Sequence, residues 1–362
     1  QPKASSIGAR IKLKKDGSCY AIRPSYVLPY MVGRTSEVEK ALYLRKYGVP
    51  FDGLTYVFGK DDMYWERIAL SLGRFNIVGT TIQYKCNLPD NLASDEKHTK
   101  QLGERIYACL TSSRNCVLGA SISQTADKKG LMEAYKDFKE DIQAIDKDYE
   151  PKTNNRDGWE AGLLAFQTLF SSIVLIQCFL HGWLKIQNRC RALKKEFKGE
   201  ARMMTLVGNM VWEIYEAENK DDFNKNVEIL REWTKNNIET QYIKKELDRF
   251  CDKAPTCSIA YDHSGCLRTS NSVDRPMKQL NKVLRNMQYF HGHSHQANRF
   301  VRAWALIYNF APYNKKTRRM NQIISPAHKV NQFFYHENWL QNLFICGSLN
   351  GGSNRIRSIP QN

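Results

Sequence analysis

The stretch NLASDEKHTKQLGERIYACLTSSRNCVLGASIS, residues 91–123, is where the chain changes character. Three short segments, NLASDE, RIYACLTS and CVLGASIS, combine β-branched and apolar residues with turn residues between them, which predicts three consecutive strands. Beyond them the pattern alternates. KKGLMEAYKDFKEDIQAI sets Leu131, Ala134, Tyr135, Phe138 and Ile142 at helical spacing. PKTNNRDGW reads as a short strand and turn, WEAGLLAFQTLF as a helix and SSIVLIQCF as a buried strand. The expected order over residues 89–182 is therefore β-β-β-α-β-α-β.

Three strands in a row followed by alternation is the order of a ribonuclease H-like mixed sheet, an α/β fold. Residues 183–262 are almost wholly helical and charged, with FNKNVEILREWTKNN and QYIKKELDRFCDK as the clearest periodic segments; they read as an all-helical insertion. Helical periodicity resumes over 263–312, which reads as the final helices of the core. Residues 313–362 read as a basic, loop-rich tail. Upstream, residues 1–88 divide into a basic, irregular arm over 1–24, densest at RIKLKK, and a set of short helices. SEVEKALYLRKY (36–47) has a Ser N-cap and an acidic first turn, and a further helix is expected from about Asp62 to Leu72. Short helices with Gly-containing turns in a basic setting suggest an N-terminal helical DNA-binding region of the helix-turn-helix type. A plain helical bundle packed on the main domain fits the same pattern.

The chain has 362 residues, 42% hydrophobic and 25% charged, and a formal net charge of +17. The size admits two or three domains with real cores, and the charge points to a polyanionic partner, nucleic acid before membrane surface. No apolar run approaches the roughly 18 residues of a membrane span, and no signal-peptide pattern is legible. Ten cysteines are scattered without a C-x-x-C pair, which reads as reduced thiols in a cytosolic or nuclear protein. The chain opens at Gln1 without a Met and so reads as a trimmed chain.

Asp95 falls at the end of the first expected strand and Asp157 at the end of the fourth. Those strands are neighbours in a ribonuclease H-like sheet, so the two carboxylates converge. A third acid is needed from a helix after the insertion, and TSNSVDRPMKQLNK offers Asp274. Carboxylates suit Mg²⁺, a hard ion that prefers oxygen. Two such ions about 4 Å apart activate a water or a 3′-hydroxyl and stabilise the leaving oxygen. Each acid also has a plainer explanation. Asp95 and Asp157 suit turns, and Asp274 opposes a helix dipole. Glu96 is a further acid near the proposed metal, but strand alternation turns it to the other face.

The blocks ASDEKHTKQLGER, NNRDGWEA, CFLHGWLKI, YDHSGCLRTSNSVDR, FHGHSHQANRFVRAWALIYNFAPY and YHENWLQNLF resemble the successive blocks of bacterial insertion-sequence transposases of the DDE/D type. The resemblance runs from about residue 50 to residue 350 and is most specific in SDEKHT followed by DGWEA. CFLH is similar to the C-x-x-H motif of several transposase superfamilies, and here it sets Cys178 and His181 at the end of the fifth strand. The resemblance implies a ribonuclease H-like core and a helical insertion. It implies two Mg²⁺ or Mn²⁺ ions held by Asp95, Asp157 and Asp274, with His181 contacting the scissile phosphate or ordering the site. It also implies cleavage at the terminal inverted repeats of a double-stranded element, strand transfer into target DNA, and a homodimer or larger synaptic assembly. The third acid in such enzymes is usually Glu; Asp274 is one methylene shorter and keeps the oxygen ligands. Two rival readings are an inactive or domesticated DNA-binding relative and a nuclease of the same fold that does not join ends. The expected location is the bacterial cytoplasm at the nucleoid, or the nucleus of a eukaryote.

Other candidates are weaker. Arg275, Lys278, Lys282 and Arg285 recur at three- or four-residue spacing and suggest a DNA-backbone track. The NKKTRRMNQ cluster at 314–322 adds to the positive field. His98 is a candidate DNA contact, and Trp233 is a candidate base-stacking residue alongside Trp183 and Trp212, whose spacing also fits a helical core. Cys251, Cys257, His263 and Cys266 have zinc-type ligands without the spacing of a zinc knuckle. His291, His293 and His295 read as a loop between helices near the third acid.

Overall fold

A computed structural model describes residues 33–196 and 201–352, together with Lys12–Lys15, Ser18–Ala21, Tyr26 and Leu28. Part of the expected irregular arm is not irregular. Lys12–Lys15 (β1) and Ser18–Ala21 (β2) pair antiparallel; the rest of the arm lies outside the described residues. Four helices follow, Thr35–Arg45 (α1), Phe51–Phe58 (α2), Asp62–Ser71 (α3) and Ile77–Thr81 (α4). Asp61 and Asn76 start the last two with side-chain caps on Tyr64 N and Gly79 N.

The main sheet has five strands: Asn91–Gln101 (β3), Glu104–Ser113 (β4), Cys116–Ser123 (β5), Thr153–Arg156 (β6) and Val174–Gln177 (β7). Lys128–Gln143 (α5) and Glu160–Leu169 (α6) connect the last three. The order β5-β4-β3-β6-β7 is mixed: β3, β4 and β5 are antiparallel neighbours, and β6 and β7 run parallel to β3. The fold is thus α/β with a mixed sheet, and the element order is the expected one. One boundary differs. β3 does not stop at Glu96 but runs to Gln101, because its outer half keeps pairing with β4 after the pairing with β6 ends at Ala93↔Asn155.

Strand alternation gives the sheet two buried faces. Leu92, Cys109 and Leu118 face a core closed by Leu131, Tyr135 and Phe138 of α5 and Phe166 of α6. Ala93, Ala108, Leu110 and Val117 point the other way. That second face is covered by Asn271–Asn286 (α11) and Ser294–Phe310 (α12), through Val273, Leu280 and Trp304. Between β7 and α11 the chain makes four long helices, Phe179–Glu196 (α7), Ala201–Glu216 (α8), Lys220–Asn237 (α9) and Gln241–Ser258 (α10). They close on their own core of Val207, Val211, Leu230, Ile243 and Leu247.

Described residues of both flanking regions pack into the core of α11 and α12. Leu42, Trp65, Ile68 and Leu72 of the N-terminal helical region join the core that contains α11 and α12, which is the packed-bundle alternative. Part of the expected tail is also built in: Lys315–Asn321 (α13), Pro326–Asn331 (α14) and Trp339–Leu349 (α15) follow α12, and Trp339, Leu340 and Leu343 are buried in the same core; residues 353–362 of that tail lie outside the described residues. α13 and α14, at 7 and 6 residues, are too short for a periodic signal to stand out.

Polar side chains fasten α12 to the rest. Asn309 Oδ1 and Asn298 Oδ1 accept from Val117 N and Ile122 N, covering the free edge of β5. Arg302 Nη2 donates to Asp141 Oδ2 at 2.7 Å, and the same oxygen accepts from Ile77 N at 3.1 Å. This buried pair ties α12 to α5 and to the start of α4. Asp141→Ala leaves the Arg302 charge buried and uncompensated, so a loss of about 3–5 kcal/mol in urea unfolding is expected; a change below about 1 kcal/mol contradicts that role.

Candidate active site

The acids sit where the parallel pairing stops. β3 and β6 are in register through Ala93↔Asn155, and continuing that register brings Asp157 level with Asp95. Both belong to the alternation set that faces α11. Asp95 is therefore not a strand-terminal turn residue; it lies mid-strand, two residues past the last β3–β6 pair. Asp157 leaves β6 in a tight turn. Its Oδ1 accepts from Trp159 N at 3.0 Å, and Gly158 takes φ +90, where a Cβ would strike the Gln177 side chain. The turn chemistry expected of Asp157 is real, and it aims the carboxylate.

Asp274 comes from the first turn of α11. Its Oδ2 is 2.8 Å from the hydroxyl of Ser270, the residue that starts the helix. The three carboxylates bear on one another electrostatically. Burial pushes Asp95 up to about 7, and the charges of Glu96, Asp157 and Asp274 add to the effect. Burial also raises Asp274, against the Ser270 hydrogen bond and the His181 charge, with Asp157 adding to the rise. Among the described residues, no Lys or Arg pairs with any of the three.

Cys178 lies just after β7 and His181 in the first turn of α7, not in the strand itself. Ser270 connects them to the third acid. Its backbone N–H donates to the Cys178 sulfur at 3.2 Å, and its hydroxyl is 3.1 Å from that sulfur and 3.5 Å from His181 Nδ1. The hydrogen bond to Cys178 holds His181 up at about 9 against burial, with Cys178, Asp274 and Asp157 adding their charge. Burial opposes the Cys178 thiolate, but His181 and Ser270 together leave the thiol below its ordinary value. The charges of Asp274 and Asp157 thus bear on this imidazole.

Glu96 is excluded from this group. Alternation puts it on the α5–α6 face, where it forms a wholly buried ion pair with Arg156 and accepts from Tyr135 Oη at 2.8 Å. His98 belongs to the same alternation set as Glu96 and is exposed on the outer half of β3, away from Asp95. Trp233 packs against the core of the helical insertion with Trp183. The histidine loop also departs from expectation: it follows the far end of α11, about 20 Å of helix from Asp274, and His293 is the N-cap of α12. Arg275, Lys278, Lys282 and Arg285 are all exposed along one face of α11, as their spacing requires. Sequence reading missed Ser270, and it missed Lys185, Arg249 and Lys253, which line a cavity of about 240 Å³ beside Asp157 and His181.

Among the described residues, no three His, Cys, Asp or Glu side chains meet as a preformed metal cluster. The donor chemistry nevertheless fits a hard cation: the groups are oxygen-only carboxylates, Asp95 and Asp274 both feel the Asp157 charge, and none has a Lys or Arg partner among the described residues. No protein-family model matches the chain, and no curated protein matches it.

The Asp95 shift carries a sign that thermal melts in EDTA can read. Unfolded Asp95 ionises near 3.8 and folded Asp95 near 7, so across that window the unfolded chain has already lost a proton that the folded one keeps. Stability falls as pH rises through it. Asp95→Asn removes the fall, and its Tm relative to wild type is expected to be about 2–6 °C more favourable near pH 8 than near pH 4. A pH-independent difference contradicts the burial and charge crowding of this carboxylate.

Proposed function

We propose that this protein is a metal-dependent DNA transposase of the DDE/D type, with a ribonuclease H-like core, that cuts at the ends of an element and joins them to target DNA. The observation that carries the reading is that the β3–β6 register brings Asp157 level with Asp95, that the charges of Asp157 and Asp274 bear on Asp95, and that none of the three has a Lys or Arg partner among the described residues. Supporting it are the mixed sheet order, the helical insertion between β7 and α11, and the net charge of +17.

Asp95 and Asp157 are the groups that would hold the ions, with Asp274 closing the set. Bound divalent ions supply activation of the attacking oxygen and charge for the leaving one. The chain's own residues do the positioning. β3 holds Asp95 rigidly, the Trp159 N–H fixes Asp157, and Ser270 fixes Asp274. On this reading His181, held up at about 9 by Cys178, would donate to a phosphate oxygen. The exposed stripe on α11 begins one residue after Asp274 and takes the phosphodiester backbone that leads from the cut. The reaction is in-line attack, first by water and then by a 3′-hydroxyl, without a covalent protein intermediate. A silent DNA-binding protein is the second reading. It is favoured by one observation, that the acids do not form a preformed three-ligand cluster.

The test uses labelled duplexes that carry the inverted repeats flanking the coding sequence, with Mg²⁺ or with EDTA. Cleavage and joining are expected only with metal. Asp95→Asn and Asp157→Asn are expected to lower the rate by at least about 100-fold, and Asp274→Glu to retain activity. Metal-independent cleavage, or full activity in the two Asn variants, overturns the proposal. Salt-sensitive binding without cleavage under any condition selects the silent protein.

A further inference from the structure

A second surface, away from the acids, has the makings of a nucleic-acid contact. α1 and the segment leading into α13 enclose an open groove of about 540 Å³, within the usual range for a ligand site. Tyr43 and Tyr313 are half-buried walls of it, and Lys40, Lys315 and Arg318 are exposed on its rim. A patch of Lys315, Arg318 and Arg319 continues the rim outward. Among the described residues none of these cations forms an ion pair. Glu39 is the acid in the lining, and its Oε2 accepts from Asn338 Nδ2 at 2.6 Å.

The groove is built rather than incidental. Lys46 is buried behind it and donates to Ala311 O at 2.8 Å and Pro312 O at 3.3 Å, which fastens α1 to the end of α12. The same ammonium lies 5.6 Å from the Tyr313 ring centroid. Tyr313 N donates to Ile324 O at 2.8 Å and fixes that ring's backbone. Gln279 Nε2 donates to Lys46 O at 2.8 Å, so α11 supports the groove from below. Arg275, next to Asp274, is close enough for its charge to bear on Tyr313.

We propose that this groove binds a locally unpaired stretch of DNA, with bases against Tyr43 and Tyr313 and phosphates on Lys40, Lys315 and Arg318. Aromatic walls with unpaired cations at their rim suit a single strand, because an unstacked base offers a face that a closed duplex does not. The proposal rests on the DNA-partner part of the functional reading and not on catalysis. It is therefore tested in EDTA.

The experiment is fluorescence anisotropy of a labelled oligothymidylate of about 15 nucleotides, alongside a duplex of equal length, on the full chain. Tyr43→Ala and Tyr313→Ala are each expected to weaken single-strand binding by about 5- to 50-fold and duplex binding by less than about 2-fold. Tyr43→Phe and Tyr313→Phe keep the ring and are expected to bind as wild type, which separates stacking from misfolding. Arg318→Ala with Lys315→Ala is expected to weaken binding and flatten its salt dependence. Unchanged single-strand affinity in both alanine variants overturns the proposal, as does an equal loss for duplex and single strand. Neither result bears on metal-dependent cleavage, and loss of cleavage in the Asp95 variant leaves this groove's binding unaltered.

Discussion

Arg156 and Glu96 face each other across β6 and β3, both wholly buried, on the side of the sheet away from the acids. Each is the immediate neighbour of an active-site candidate: Glu96 follows Asp95 and Arg156 precedes Asp157. In a strand, neighbours point to opposite faces. Whatever fixes Arg156 against Glu96 on the hidden face therefore fixes Asp157 level with Asp95 on the open one, and a one-residue slip would invert both. The pair is held from several directions. Arg156 Nη1 donates to Ser94 Oγ at 2.9 Å, and Tyr135 Oη donates to the same Glu96 oxygen as Arg156. The rings of Tyr135 and Phe166 lie 5.5 and 5.2 Å from the guanidinium carbon. Gly162 in α6 leaves the room, since a Cβ there would overlap Arg156 and Glu96. Burial works against the Arg156 charge, but Glu96 and Tyr135 hold its proton more tightly than usual. Buried ion pairs add little net stability compared with apolar packing; fixing register is what this one contributes.

On the open face the charge balance runs the other way. The charges of Asp157 and Asp274 bear on Asp95, and His181, held up by Cys178, sets an opposing charge against Asp274. Cys178 in turn takes the Ser270 N–H at the head of α11. The hydroxyl of Ser270 has a single proton and two acceptors within reach, the sulfur at 3.1 Å and Asp274 at 2.8 Å. The C-x-x-H pair therefore acts on the third acid through the start of its helix. That gives Cys178 a part beyond packing, although it is as buried as a packing residue.

The parts of this arrangement that were legible in the sequence are those with a short period. Three strands, then alternation, follow from residues 91–177, and the α11 stripe from a spacing of three and four. Convergence of Asp95 with Asp157 required one further step, the neighbour relation of the first and fourth strands, which the sheet order bears out. What was not legible depends on contacts across long stretches of chain. Nothing near Arg156 announces a partner at Glu96, and Ser270 looks like any helix-starting serine. The length of β3 departs from expectation because residues 97–101, KHTKQ, are polar, yet they keep pairing with β4 on one side and take a bridge from Phe290 to Gln101 on the other. His98 and Trp233 were chosen by residue type, and type says nothing of which face a side chain takes.

α11 is where these constraints meet. Its buried side, Val273, Met277, Leu280 and Val283, packs in the core shared by the sheet and the N-terminal helices. Its exposed side carries the basic stripe, and its first turn carries Asp274. An aspartate reaches one methylene less far than a glutamate, so its useful reach depends on the axial position of the helix. That position is set at one end by Ser270 on Cys178 and along its length by Gln279 on Lys46. Lys46 is itself a buried cation, brought down to about 8 by burial, and it fastens α1 to the end of α12. The elements that form the aromatic groove thus also bear on the helix that carries the third acid.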